Sequence, residues 1–177
     1  VASELRTFNR GAKLFNKIGN LISNAIDVMG YRNGPCHSEV IVMDNDEIGV
    51  VEIAARGGGF IVFNKLVPII SGVNISKLTI LQAAGKKSNI DKVYKNKAIL
   101  KFILPRKGKI KSISGFQKVN KIAGLLAASF VEEGEFVNSV SSDGDRLGYI
   151  LSYGKKYDIV EEKINKFESL IKFEYEN

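Results

Sequence analysis

The stretch GPCHSEVIVMDNDEIGVVEIAARGGGF, residues 34–60, limits the fold more than any other part of the chain. Two alternating apolar runs flank the polar residues Asp44 to Glu47, the pattern of a β-hairpin. Asn and Asp tolerate positive φ, so a two-residue turn at Asn45 and Asp46 is expected. Asp44 then pairs with Glu47, and counting back along both strands places Glu39 opposite Glu52. Because side chains alternate along a strand, His37, Glu39, Ile41 and Met43 would share a face with Ile48, Val50, Glu52, Ala54 and Arg56.

Two carboxylates about 5 Å apart on neighbouring strands repel, which costs up to about 1 kcal/mol unless something lies between them. A divalent cation fills that role. Mg²⁺ favours one or two carboxylates completed by water and phosphate oxygens. From geometry alone a solvated hairpin end is the alternative. Arg56 follows, the only arginine between 33 and 105, and then Gly57, Gly58 and Gly59 before an expected helix. Arginine presents a planar fork to phosphate oxygens, and consecutive glycines let backbone N–H groups approach an anion. The glycines lack the Lys-Ser or Lys-Thr of a P-loop and the spacing of a dinucleotide fingerprint.

Elsewhere the periodicity predicts an α+β chain. Leu5, Phe8, Ala12, Phe15, Ile18, Ile22, Ile26 and Met29 recur every three or four residues, predicting a helix over 2–29 that Gly30 ends. VFNKLVPIISG and NISKLTILQAAG read as two further helices, with Asn74 as N-cap of the second. A lysine-rich connector is expected over 86–97. Strands follow at AILKFILP, KIKSIS and GLLAASFV, then strand RLGYILSYG, helix KYDIVEEKINKFESL and strand IKFEYE. The expected division is 1–96, with the hairpin and helices, and 97–177, a small α+β unit.

With 177 residues and 45% hydrophobic content, the chain can bury one substantial core or two small ones. No stretch approaches the roughly 20 apolar residues of a spanning helix, and the start lacks a signal-peptide layout, so a cytoplasmic protein is expected. A single Cys and a single His exclude a disulfide within the chain and a four-ligand zinc site of the usual kind. The chain begins on Val and enters a helical period almost at once, as a piece of a longer protein would. Net charge is +7, and the excess is central: residues 61–121 hold 14 basic side chains and 1 acidic one. Such a stretch attracts nucleic acid or phosphate. Lys outnumbers Arg 20 to 6 and no aromatics are interleaved for base stacking. The stretch is therefore read as a solvated face, and nucleic acid is not the expected partner.

The residues 34–59 resemble the metal-binding hairpin of the ATP-grasp superfamily. In that family one strand Glu and a second Glu in an E-x-N/A-x-R motif hold Mg²⁺ ions bridging ATP phosphates. The G-x-x-H-x-E start and E-x-A-x-R-x-G-G finish are most similar to the L-amino acid ligase and carboxylate-amine ligase branch. LVPIISGVNISKLTILQAAG resembles that branch's following helices, which usually carry Asp where Asn74 stands. The C-terminal part resembles its small closing domain.

The resemblance implies an ATP-grasp C-terminal lobe, an antiparallel sheet with flanking helices, followed by that closing domain. It implies ATP and Mg²⁺ or Mn²⁺ as cofactors, with Glu39 and Glu52 as metal ligands. Arg56 would contact the transferring phosphate or acyl phosphate. Gly58 and Gly59 would let the backbone approach, and His37 matches the histidine before the first Glu. Ala54 stands where many relatives carry an Asn reaching a second metal, which puts that contact in doubt. Arg146 reads as a surface arginine at a strand start, with an approach to the site as the alternative. The implied reaction joins a carboxylate to an amine or thiol through an acyl phosphate. Lobes absent from this chain would hold the adenine and the remaining phosphate contacts, so the chain alone is expected to be inactive; a homodimer is left open. The alternatives are a non-catalytic ATP-grasp-derived binding module and a carbamoyl-phosphate synthetase or biotin carboxylase relative.

Overall fold

In the computed structural model, which describes residues 1–87, 90 and 96–176, strands and helices alternate along the chain. The order is β1 (Glu4–Arg6), α1 (Ala12–Val28), β2 (His37–Val42), β3 (Ile48–Ala54), a π-helical turn (Val62–Leu66), α2 (Val67–Ser71) and α3 (Ile75–Ala83). There follow β4 (Lys97–Ile103), β5 (Gly108–Ser114), α4 (Phe116–Asn120), β6 (Leu125–Ser129), β7 (Phe136–Val137), β8 (Gly148–Gly154), α5 (Tyr157–Phe167) and β9 (Lys172–Tyr175). The chain divides into two units, residues 8–94 and residues 1–7 with 95–177.

The second of these units carries most of the core. Its larger sheet is antiparallel in the order β1-β4-β8-β6. Register places Leu5 beside Leu100, Leu100 beside Leu151 and Leu151 beside Leu126, a row of leucines across all four strands. A smaller sheet runs β7-β5-β9. In α5, Val160 and Ile164 stand four residues apart and are fully buried with Ile99, Val119, Leu125, Ala127 and Ile150. Each buried Val, Leu or Ile among them contributes about 1.5–3 kcal/mol of transfer free energy. The buried Ser152 hydroxyl is satisfied by donating to the Val160 carbonyl at 2.9 Å.

The first residues depart from expectation. Leu5 and Phe8 fit a helical period, yet residues 4–6 form a strand on β4, with Thr7 N–H donating to Ala98 O at 3.0 Å. The helix begins only after Gly11, whose φ of 87° is a left-handed value that breaks the run. Arg146 also departs from expectation. It is 3% exposed, donates to the Ala2 carbonyl at 2.8 Å, pairs with Asp143 at 2.7 Å and lies 3.8 Å over the Phe102 ring. It anchors the N-terminal segment from within this unit and is no surface residue.

In residues 8–94, α1 ends where predicted: Gly30 has φ 72° and Tyr31 N–H returns to Ile26 O at 3.2 Å. Asn74 caps α3 by accepting from Lys77 N–H at 3.0 Å. Only Leu14 and Leu66 are buried hydrophobics among the described residues of this unit, so its core is small. The expected strands at 98–105, 109–114, 124–131, 146–154 and 171–176 all form within a few residues, and β1, β7 and the short α4 are additional elements. Much of the lysine-rich connector lies outside the described residues. No single helix among the described residues is long and apolar enough to cross a membrane.

Candidate metal and phosphate site

The hairpin of β2 and β3 carries the site. Its turn is one residue longer than predicted. Met43 and Glu47 close the loop, with Met43 N–H donating to Glu47 O at 2.9 Å and Asp46 N–H to Met43 O at 3.0 Å. Asp46 takes the left-handed position with φ 58°, as a three-residue loop requires. The Asn45 side chain accepts from Glu47 N–H at 3.1 Å.

This longer turn shifts the turn-side pairs to Val42–Ile48, Ile41–Gly49 and Val40–Val50. Ile48 and Val50 therefore share a face with Val40 and Val42, not with Ile41 and Met43 as expected. The register then slips between Glu39 and Val40, leaving Val51 without a partner. That β-bulge absorbs the extra turn residue. Beyond it Glu39 faces Glu52, Ser38 faces Ile53 and His37 faces Ala54, as predicted. His37, Glu39, Glu52 and Ala54 thus share one face at the open end of the hairpin.

The four charged or titratable side chains there form two pairs. His37 Nε2 is 3.3 Å from Glu39 Oε1, and Arg56 Nη2 is 3.6 Å from Glu52 Oε1. Arg56 also donates through Nη1 to the Gly57 carbonyl at 3.0 Å. The two carboxylate side chains are 58% and 51% exposed and Arg56 is 60% exposed. An exposed ion pair of this kind is worth about 0–1 kcal/mol, so Glu52 holds Arg56 only weakly.

The three glycines are not equivalent. A Cβ on Gly57 would lie 2.4 Å from the Phe63 ring, and one on Gly58 would lie 3.0 Å from Val62 and 3.1 Å from His37 Nδ1. Packing explains those two. A Cβ on Gly59 would meet nothing within 4 Å, and its φ lies outside the left-handed region. Gly59 is the position whose open surroundings leave room for a ligand. The glycines do not lead directly into a helix as expected: Phe60 and Ile61 have φ of 44° and 63°, and Val62 N–H donates to Gly59 O at 3.0 Å before the π-helical turn. Left-handed values are rare for a β-branched residue. Neither this turn nor the unpaired Val51 has a signature in the sequence.

Among the described residues no group of three or more His, Cys, Asp or Glu side chains is placed to hold one ion. Two facing carboxylates with an arginine beside one of them suit a hard cation that takes its remaining ligands from water and phosphate oxygens, and they do not suit zinc. The donor set therefore fits Mg²⁺ or Mn²⁺.

Comparison with known proteins agrees in fold. Residues 101–176 match the family model of the L-amino acid ligase C-terminal domain 2. No curated protein sequence matches the chain. Among solved structures, L-amino acid ligase from Bacillus licheniformis is similar at TM-score 0.83 and 19% identity, over 100% of this chain and 45% of its own. Phosphoribosylglycinamide synthetase from Anaerococcus prevotii gives 0.84 and 19%, over 99% and 46%. The biotin carboxylase domain of 2-oxoglutarate carboxylase from Hydrogenobacter thermophilus, solved with MgADP and bicarbonate, gives 0.72 and 15%, over 93% and 37%. The chain thus spans less than half the length of each of these structures.

Proposed function

Starting from a chain with the fold of the C-terminal portion of ATP-grasp ligases, we propose that it supplies the metal- and phosphate-binding half of an ATP-dependent carboxylate-amine or carboxylate-thiol ligase. The observation that carries this reading is the Glu39–Glu52 pairing, rebuilt by a bulge on a face shared with His37. In the intact enzyme a carboxylate substrate is activated as an acyl phosphate and attacked by an amine or thiol, releasing ADP and phosphate. The adenine and the far phosphates are held by lobes that this chain does not contain.

When bound, the Mg²⁺ supplies positive charge that neutralises the phosphate oxygens. Glu39 and Glu52 each offer a carboxylate oxygen for its coordination. Arg56 leaves Glu52 and donates its N–H fork to an oxygen of the transferring phosphate, since charge-assisted hydrogen bonds to phosphate exceed the weak pair it gives up. Its contribution is electrostatic, favouring the charge that builds during transfer. The His37 ring is packed against Gly58 and lies beside Glu39, so its role is to hold the orientation of that carboxylate. Ala54 offers no side-chain oxygen, and the second-metal contact that an Asn would make is absent here.

The test is ADP formation with ATP, Mg²⁺ and mixed amino acids, comparing the isolated chain with the same chain joined to ATP-grasp N-terminal lobes. The isolated chain should be inactive, the joined protein active, and Glu52→Gln in the joined protein inactive again. Activity that survives Glu52→Gln would overturn the reading.

A further inference from the structure

Residues 95–177 hold a second candidate site that the hairpin chemistry does not use. An open cleft of about 590 Å³ lies between the end of β4 and β9, and Ile103, Leu104, Leu147, Ile171 and Phe173 supply its apolar wall. That volume falls within the range of small-molecule sites, about 300–1,000 Å³. Phe173 and Tyr175 are spaced by two along β9 and so present one face, with Ile171 just before the strand. Leu147 N–H donates to Ile103 O at 2.8 Å, which fixes the opposite wall to β4.

One end of the cleft is positive and pre-arranged. The Arg106 guanidinium lies 4.7 Å from the centre of the Tyr175 ring, while the Tyr175 hydroxyl accepts from Arg106 N–H at 3.1 Å. A cation–π contact of this kind holds the guanidinium beside the ring while its N–H groups stay open to a ligand. Among the described residues Arg106 makes no ion pair, in contrast to Lys109, which pairs with Glu176 at 2.9 Å. The remaining charged lining residue, Glu174, accepts from the Ser112 hydroxyl at 2.9 Å. Its negative charge disfavours a dianion such as a phosphate monoester more than a monoanion.

We propose that this cleft binds a monocarboxylate with an apolar chain or ring, the carboxylate on the Arg106 fork and the body along Ile103, Ile171 and Phe173. The open apolar wall supplies contact for the apolar part, and the fork supplies two parallel donors for a planar anion. The proposal stands apart from the nucleotide reading, because every residue it uses lies in residues 95–177.

The experiment is an amide NMR titration of the 177-residue chain with phenylbutyrate and with phenylbutanol, its neutral counterpart. Saturable shifts are expected at Ile103, Leu104, Ile171 and Phe173, with the acid bound about tenfold more tightly than the alcohol, and Arg106→Gln should lower acid affinity about tenfold while leaving the alcohol unchanged. Arg106 is exposed, so the variant's spectrum should otherwise superimpose on the parent. As a second variant, Leu104→Asp at the rim should weaken the acid more than the alcohol. No saturable shift in the cleft, equal affinity for acid and alcohol, or an acid affinity unmoved by both variants would overturn the proposal.

Discussion

Glu39 and Glu52 face one another across the hairpin, and Val51, the unpaired residue beside them, is what brings them together. Each carboxylate leans on a neighbour of its own, His37 at 3.3 Å and Arg56 at 3.6 Å. Nothing else in the hairpin separates the two negative charges.

Removing one of those charges should therefore stabilise the fold. Glu39→Gln keeps the Arg56–Glu52 pair and removes the repulsion. The variant should gain up to about 1 kcal/mol, seen as a higher urea midpoint at unchanged slope, while losing cation binding. A large loss of stability would mean that Glu39 serves the fold.

The glycine loop separates packing from ligand approach. Gly57→Ala drives a methyl into the Phe63 ring and should cost about 1–3 kcal/mol of overpacking. Gly59→Ala meets open space, so thermal unfolding should move by no more than about 0.5 kcal/mol. In the joined ligase, the same Gly59 change should raise the KM for ATP. Unaltered nucleotide kinetics in Gly59→Ala would remove this glycine from the site.

Hydrogen exchange should differ between the two units. Residues 8–94 contain just two buried hydrophobics among the described residues, whereas β4, β8 and α5 share a continuous buried cluster. Amides of β2 and β3 should exchange through low-energy openings well before those of β4 and β8. Equal protection in both units would contradict the small core assigned to the hairpin unit.

Asp145 gives the clearest pH response. Backbone N–H groups of Ser141 and then Ser142, followed by the Ser141 hydroxyl, hold its carboxylate and lower its pKa from 3.8 to about 2. A depressed carboxylate stabilises the folded state above its unfolded pKa, and that contribution is lost as pH falls through the folded value. The Ser141 and Ser142 amide resonances should therefore titrate together near pH 2. In Asp145→Asn that transition should vanish.

The legible features were those that local chemistry specifies. Gly30 and Asn74 announce a helix end and a helix start because φ > 0 and a side-chain acceptor are local demands. The paired glutamates follow from alternation, although the turn that precedes them is a residue longer than expected and a bulge restores their register. A valine within an alternating apolar run carries no mark of a bulge, so Val51 was invisible. Leu5 and Phe8 fit a helical period as well as an edge strand, and only pairing with β4 decides between them. Arg146 looked like a surface residue because its partners, Ala2, Phe102 and Asp143, reach it through tertiary structure.

The central claim is that Glu39 and Glu52 form the protein's share of a divalent-cation site, and Mn²⁺ tests it most directly. Added to the isolated chain, Mn²⁺ should broaden the amide resonances of residues 37–39 and 52–56 ahead of all others. Excess Mg²⁺ should reverse the effect, and Glu39→Gln with Glu52→Gln should abolish it. Broadening centred elsewhere, or unchanged in the double variant, would contradict the account.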